Sequence, residues 1–155
     1  MAKACDLSRN DVVATNNHSN PTFELLQEQD ILQLRDISDE FADLDPEQVK
    51  AFLAEKQNIA LVAKLDGKVI GFIYGYALSR LDGKAPHFFI YSVDIHTGYQ
   101  NKGYGSRFMQ FAVGWARDNG FGESFVAAES DNARACRIYE KAGMSGKDTR
   151  EFVAE

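Results

Sequence analysis

A chain of 155 residues with a formal charge of -6 at pH 7 and a pI near 5.1 is a single domain, long enough to bury a sizeable core. Its acidity argues against nucleic acid, whose phosphates need a basic face, and suits a small cationic or amine substrate, although it also serves plain solubility. Two cysteines (Cys5, Cys136) and three histidines (His18, His87, His96) lie scattered, so neither a disulfide nor a metal site is expected. No apolar run has the length of a membrane span or the form of a signal peptide, and a cytoplasmic protein with no membrane partner is the expectation.

Residues 1–21 are polar, with Asn10, Asn16, Asn17 and Asn20 among them, and are expected to be a loosely ordered lead into a domain spanning 22–155. Phe23 to Gln27 suits a short first strand. From Asp30 to Leu44, apolar residues recur at irregular helical spacing. Asp45-Pro46-Glu47-Gln48 then reads as a helix start, with Asp as N-cap and Pro in the first turn. The stretch holding Asp36, Asp39, Glu40, Asp43, Asp45 and Glu47 has no basic residue. It reads either as a solvated helix face or as an attractor for a polyamine.

Asn58–Leu65 and Lys68–Leu78 read as strands joined at Asp66-Gly67, a tight hairpin turn. Gly71 and Gly75 inside the second strand imply close approach by a neighbour or a ligand. Tyr74 and Tyr76 on that strand read as core or edge packing rather than substrate contacts. Phe88 to Ile95 is apolar at nearly every position, as a central strand buried on both faces would be. After Gly98, Gly103 and Gly105 the period turns helical, with Phe108, Phe111, Ala112 and Trp115 on one stripe. Asn119-Gly120 ends that helix. Ser124–Ala128 is a strand, and Asp131 or Asn132 caps a helix that Gly143 stops. Thr149–Val153 is expected to be a closing strand. The order gives an α/β fold of the α+β type: a mixed, mostly antiparallel sheet with helices on both faces.

A helix N-terminus opened by glycines suits a phosphate. The P-loop fails, because Tyr104-Gly105 stands where Lys-Ser/Thr is required. The dinucleotide fingerprint fails at Phe108, where it needs glycine. What remains, Gln100-Asn101-Lys102-Gly103-Tyr104-Gly105, resembles the acetyl-coenzyme A loop of the GNAT superfamily of N-acetyltransferases. Asn132-Ala-Arg-Ala-Cys-Arg-Ile-Tyr139-Glu-Lys-Ala-Gly143-Met144 resembles the second motif of that superfamily, in the right order and at the right distance.

The resemblance implies acetyl-CoA as the acetyl donor. Amides from Lys102 through Gly103, Tyr104 and Gly105 to Ser106 would hold its pyrophosphate, with Gln100, Asn101 and the Lys102 side chain adding contacts and Asn132 on the same side. In the superfamily the central strand splays from its neighbour, and peptide groups at Val93 and Ile95 would hold the pantetheine arm. Tyr139 matches the tyrosine near the CoA sulfur. A tyrosine keeps its proton to a pKa of about 10 and can donate to a thiolate, although packing on the helix stripe would equally explain it. Asp94, the one carboxylate inside the central strand, is the candidate general base or amine-orienting group. The alternative for Asp94 is a partly exposed strand end. Ser92 shares its face and could bond the substrate. Asp39, Glu40 and Asp43 fall where the superfamily's first helices line the acceptor side. Cys136 does not fit an acyl-enzyme role, so direct attack in a ternary complex is expected.

Tyr76-Ala-Leu-Ser-Arg80-Leu-Asp and Phe89-Ile-Tyr-Ser-Val-Asp-Ile are similar to the type I aminoglycoside 3-N-acetyltransferases. Those enzymes carry an aspartate where Ser92 stands; here the acid comes two residues later, about 7 Å further along the strand. The expected activity is acetyl transfer to a primary amine of a small cationic acceptor, with an aminoglycoside as one candidate. N-acetylation of protein termini, lysine or another small amine is the alternative within enzymes. A non-catalytic acyl-CoA-binding domain is the alternative outside them. A homodimer is a compatible assembly that the chain does not itself fix.

Overall fold

The computed structural model describes residues 20–155. Cys5, His18 and the expectation of a loose segment over 1–19 lie outside the described residues.

Strands β1 (Thr22–Leu25), β2 (Asn58–Leu65), β3 (Lys68–Leu78), β4 (His87–Ile95) and β5 (Glu123–Val126) form one sheet in chain order. The first four pair antiparallel and β5 lies parallel to β4. The β2–β3 hairpin turns at Asp66 and Gly67, both at positive φ, as its sequence requires. Gly71 and Gly75 let β4 lie close against β3. A Cβ on Gly75 would overlap the Phe89 carbonyl oxygen, and one on Gly71 would come within 2.6 Å of the Asp94 carbonyl oxygen.

Each face of the sheet buries its own core. On one face Leu61, Ala63, Ile70, Ile73, Phe88 and Ile90 meet Phe108, Met109, Ala112 and Ala116 of helix α2 (Tyr104–Asp118). Helix α3 (Ala133–Lys141) packs beside it through Ile138 and Tyr139. On the other face Ala60, Val62, Val69 and Phe72 meet Ile31, Leu34 and Ile37. There α1 (Pro46–Ala54) adds Val49, Phe52 and Leu53. The helix start is as expected: Asp45 accepts from the Glu47 amide at 3.0 Å.

Three expectations need correction. Residues Glu28–Asp36 and Asp39–Phe41 are 3-10 turns rather than α-helix; Ile31, Leu34 and Ile37 recur every three residues, the 3-10 repeat, and all three are buried. β5 starts at Glu123 and stops at Val126, short of Ala128. Thr149–Val153 forms no strand, and Phe152 and Val153 are 88% and 77% exposed. Two apolar side chains among charged neighbours bury too little to hold that segment on a sheet edge.

Among the described residues no helix is long and apolar enough to cross a membrane. No group of three or more His, Cys, Asp or Glu in them is placed to hold a metal ion.

Candidate active site

β4 and β5 are in register only from His87↔Glu123 to Ile90↔Val126. From Tyr91 onward β4 has no partner on that side among the described residues, so the sheet opens between β4 and β5, as the resemblance implies. A cleft of about 210 Å³ fills the opening. Val93, Asp94 and Ile95 of β4 form one wall, and Asn132, Arg134, Ala135, Ile138 and Tyr139 of α3 the other. Gln100 and Gly105 close the end from the loop side.

The loop owes its path to left-handed residues. Asn101 has φ 59° and Gly103 has φ 81°. Gly103 is the N-cap of α2, and no side chain caps that helix. Nothing lies within 4 Å of the place a Gly103 Cβ would take, so the helix end faces open space. Gly105 has a different reason: a Cβ there would press on Ile138 at 3.2 Å. It lets α3 close on α2, a packing role where a phosphate contact is expected from sequence.

Other loop residues act on the protein itself. Gln100 donates from Nε2 to the Ile95 carbonyl at 2.7 Å, which pins the end of β4 and occupies that oxygen. Asn132 caps α3 by accepting from the Ala135 amide at 3.1 Å. Lys102 leans over the Tyr99 ring at 5.7 Å, and Tyr104 packs against the core. The side chains of Asn101, Lys102, Tyr104 and Ser106 do not line the cleft. Arg134 does line it, and is a cation the sequence gives no reason to single out from its neighbours in the second motif.

Asp94 lines the cleft from β4 and Tyr139 from α3. Burial holds the Asp94 carboxyl above its ordinary range; the Ser92 hydroxyl, donating to Oδ2 at 3.4 Å, works against that, and the charge of Glu40 adds to it. Ser92 lines neither cavity and acts through Asp94. Burial likewise pushes the Tyr139 hydroxyl up, with smaller contributions from Cys136 and Asp94. Tyr139 therefore packs in the core and keeps its proton in the cleft at once.

A second cavity of about 440 Å³ lies on the opposite face of the sheet, beneath α1 and the 3-10 turns. Glu40 and Asp43 line it, whereas Asp39 does not. Tyr74 and Tyr76 line it as well, although the strand pattern favours packing for both. Their rings do pack, Tyr74 against Phe52 at 5.8 Å and Tyr76 against Phe52 at 5.9 Å, and one edge of each stays open to the cavity. Burial first, and then Tyr76, Tyr91, Glu40 and Asp94, push the Tyr74 hydroxyl up to about 12. Glu40 thus acts on Asp94 and on Tyr74, which places Asp94 electrostatically between the two cavities.

An opened parallel strand pair, a glycine-capped helix at its mouth, and Asp94 and Tyr139 inside meet at this one cleft. The chain belongs to the acetyltransferase (GNAT) family, whose profile matches residues 20–144, and it is an acyltransferase. No curated protein sequence matches it. Among solved structures, an aminoglycoside acetyltransferase from an uncultured soil metagenomic sample, in complex with sisomicin, superimposes with TM-score 0.76 at 21% identity, covering 87% of this chain and 95% of its own. A ribosomal-protein-alanine N-acetyltransferase from Brucella melitensis biovar Abortus 2308 gives 0.72 at 17%, over 87% and 98%. Aminoglycoside N-acetyltransferase AAC(6')-Iy, in complex with CoA, gives 0.69 at 15%, over 86% and 98%. At these identities the likeness is one of fold.

Proposed function

We propose that the protein is an acetyl-CoA-dependent N-acetyltransferase acting on a primary amine of a small cationic acceptor. The observation that carries this reading is the place of Asp94: it walls the cleft on one side of the sheet and feels Glu40 of the cavity on the other. Acetyl-CoA would supply the activated acetyl group. The open N-terminus of α2 around Gly103 fits its diphosphate, since that end of the helix has no side-chain cap and no neighbour within 4 Å. Arg134 would add a positive charge at the cleft. Asp94 would take the proton that the amine loses as it attacks the thioester carbon. Tyr139 would give its hydroxyl proton to the departing thiolate. Ser92 would hold the Asp94 carboxylate in line.

An aminoglycoside is one candidate acceptor, suggested by the sisomicin-bound fold relative, and the acidic Glu40 and Asp43 suit any cationic amine. Acetylation at a 3-N position rests on the sequence resemblance of the segments at 76–82 and 89–95, and a relative named for the 6' position has the same fold. Thiol release from acetyl-CoA, measured against aminoglycosides, polyamines, aryl amines and peptides, tests the reading. Turnover with at least one amine is expected. Tight acetyl-CoA binding without turnover on any amine would instead favour a binding module.

A further inference from the structure

The acceptor cavity is unlike a site for a polyhydroxylated cation. Apart from Glu40, Asp43, Asp45 and Gln48, everything that lines it is apolar or aromatic. Leu26, Leu34, Ala60 and Phe72 in it belong to the buried core of that face. Above them stands an aromatic group: Phe41 meets Phe72 edge-on at 4.7 Å, and Phe52 meets Tyr74 at 90° and 5.8 Å. Such an array offers ring faces and edges to a flat or branched apolar body.

Hydrogen-bonding groups besides the Tyr74 and Tyr76 hydroxyls are confined to Glu40, Asp43, Asp45 and Gln48. Asp45 already spends an oxygen on the Glu47 amide. Glu40 and Asp43 are exposed, at the entrance rather than the base. A sugar hydroxyl set against Phe41, Phe52 or Phe72 would lose water and gain no partner. One ammonium group, by contrast, meets the Glu40 and Asp43 carboxylates in the lining, with Asp94 near enough to feel the Glu40 charge. The volume of about 440 Å³ is in the range of small-molecule sites.

We propose that the acceptor is an amphipathic primary amine, one ammonium on an aromatic or branched apolar body, with the body seated among Phe41, Phe52, Phe72, Tyr74 and Tyr76 and the ammonium directed to Glu40 and Asp94. This rests on the N-acetyltransferase reading for its chemistry, while the ligand class rests on the cavity alone. Discrimination by the apolar body should be large, since a single methylene in such a pocket changes kcat/KM by roughly 10–200-fold.

The test uses the whole chain, with 2-phenylethylamine, 2-phenylethanol, ethylamine and sisomicin as probes. Calorimetric titration reads binding, and thiol release from acetyl-CoA reads turnover. The expected result is that 2-phenylethylamine binds at least tenfold tighter than ethylamine or sisomicin. The Glu40→Gln variant, altered at an exposed position, should weaken 2-phenylethylamine and leave 2-phenylethanol unchanged. Phe52→Leu should weaken both. Binding of 2-phenylethylamine with no turnover would keep the ligand class and remove the transferase reading. Turnover with sisomicin in preference to 2-phenylethylamine would overturn the ligand class and keep the transferase. Failure of 2-phenylethylamine to bind would also overturn it.

Discussion

The two cavities are built in different ways. The cleft at the open end of the strand is made from three pieces of chain: a strand end, the loop and glycine-capped start of α2, and the cap and first two turns of α3. Backbone conformation does much of its work, and side chains such as Gln100 and Asn132 hold that backbone still. The cavity beneath α1 is made from side chains of β1's end, two 3-10 turns, α1, β2 and β3. A cleft of the first kind suits one invariant donor. A cavity of the second kind can be re-lined for a new acceptor without touching the donor side.

If that division holds, removing the proton held by Tyr139 should damage chemistry and spare binding. Tyr139→Phe is expected to lower kcat by roughly 10²-fold or more with little change in acetyl-CoA affinity. Steady-state thiol release and calorimetry together read the two effects, and unchanged kcat would remove the acid role.

Asp94→Asn cuts the link between the cavities, with an expected loss of about 10²-fold in kcat/KM near neutral pH. Asp94 has to be deprotonated to act, so the wild-type rate should rise with pH through a value above the usual carboxylate range, and the variant should lose that limb. Stability gives an independent check with a definite sign. A carboxyl whose pKa is raised on folding contributes stability below its ordinary pKa and loses that contribution as pH rises through the raised value. Thermal melts of Asp94→Asn should therefore lie above wild type at pH 7 and converge with it near pH 3. The reverse order would mean that Asp94 is held mainly by favourable partners.

Gly103→Ala probes the donor side through backbone alone. An alanine at φ 81° costs roughly 1–2 kcal/mol, which weakens acetyl-CoA binding by about tenfold if the loop relaxes. Amine binding should not change. Asp45→Ala probes the acceptor side most gently. Losing the cap of α1 costs about 1 kcal/mol, seen as a lower melting temperature and a higher KM for the amine, with acetyl-CoA affinity intact.

The same division explains how much was legible in the sequence. Gly103, Asn132 and Tyr139 lie in two short motifs, and the strands around them show apolar runs and hairpin turns, so the order of elements follows from local pattern, whereas the opening beside β4 follows only from the family resemblance. Gly105 is legible as a required glycine but not for its reason, because Ile138 reaches it from another element. Tyr74 and Tyr76 alternate along β3 as packing residues do, and their open edges depend on where α1 settles. Asp39 and Asp43 look equivalent in an acidic run, both are exposed, and only the folded path of the chain brings Asp43 and not Asp39 to the cavity lining. Thr149–Val153 has strand-forming residues, but Phe152 and Val153 stay exposed and bury too little to hold it on a sheet edge.

The central claim is that donor and acceptor approach β4 from opposite faces and meet at Asp94. Backbone amide shift mapping, first with acetyl-CoA and then with an amine that supports turnover, tests it most directly. Acetyl-CoA should move the amides of 102–106 and of α3 while leaving Val49 and Phe52 in place. The amine should move Phe41, Phe52 and Tyr74 while leaving 102–106 in place, and both should move Asp94. Acetyl-CoA shifts centred on α1, with the Gly103 loop unmoved, would contradict it.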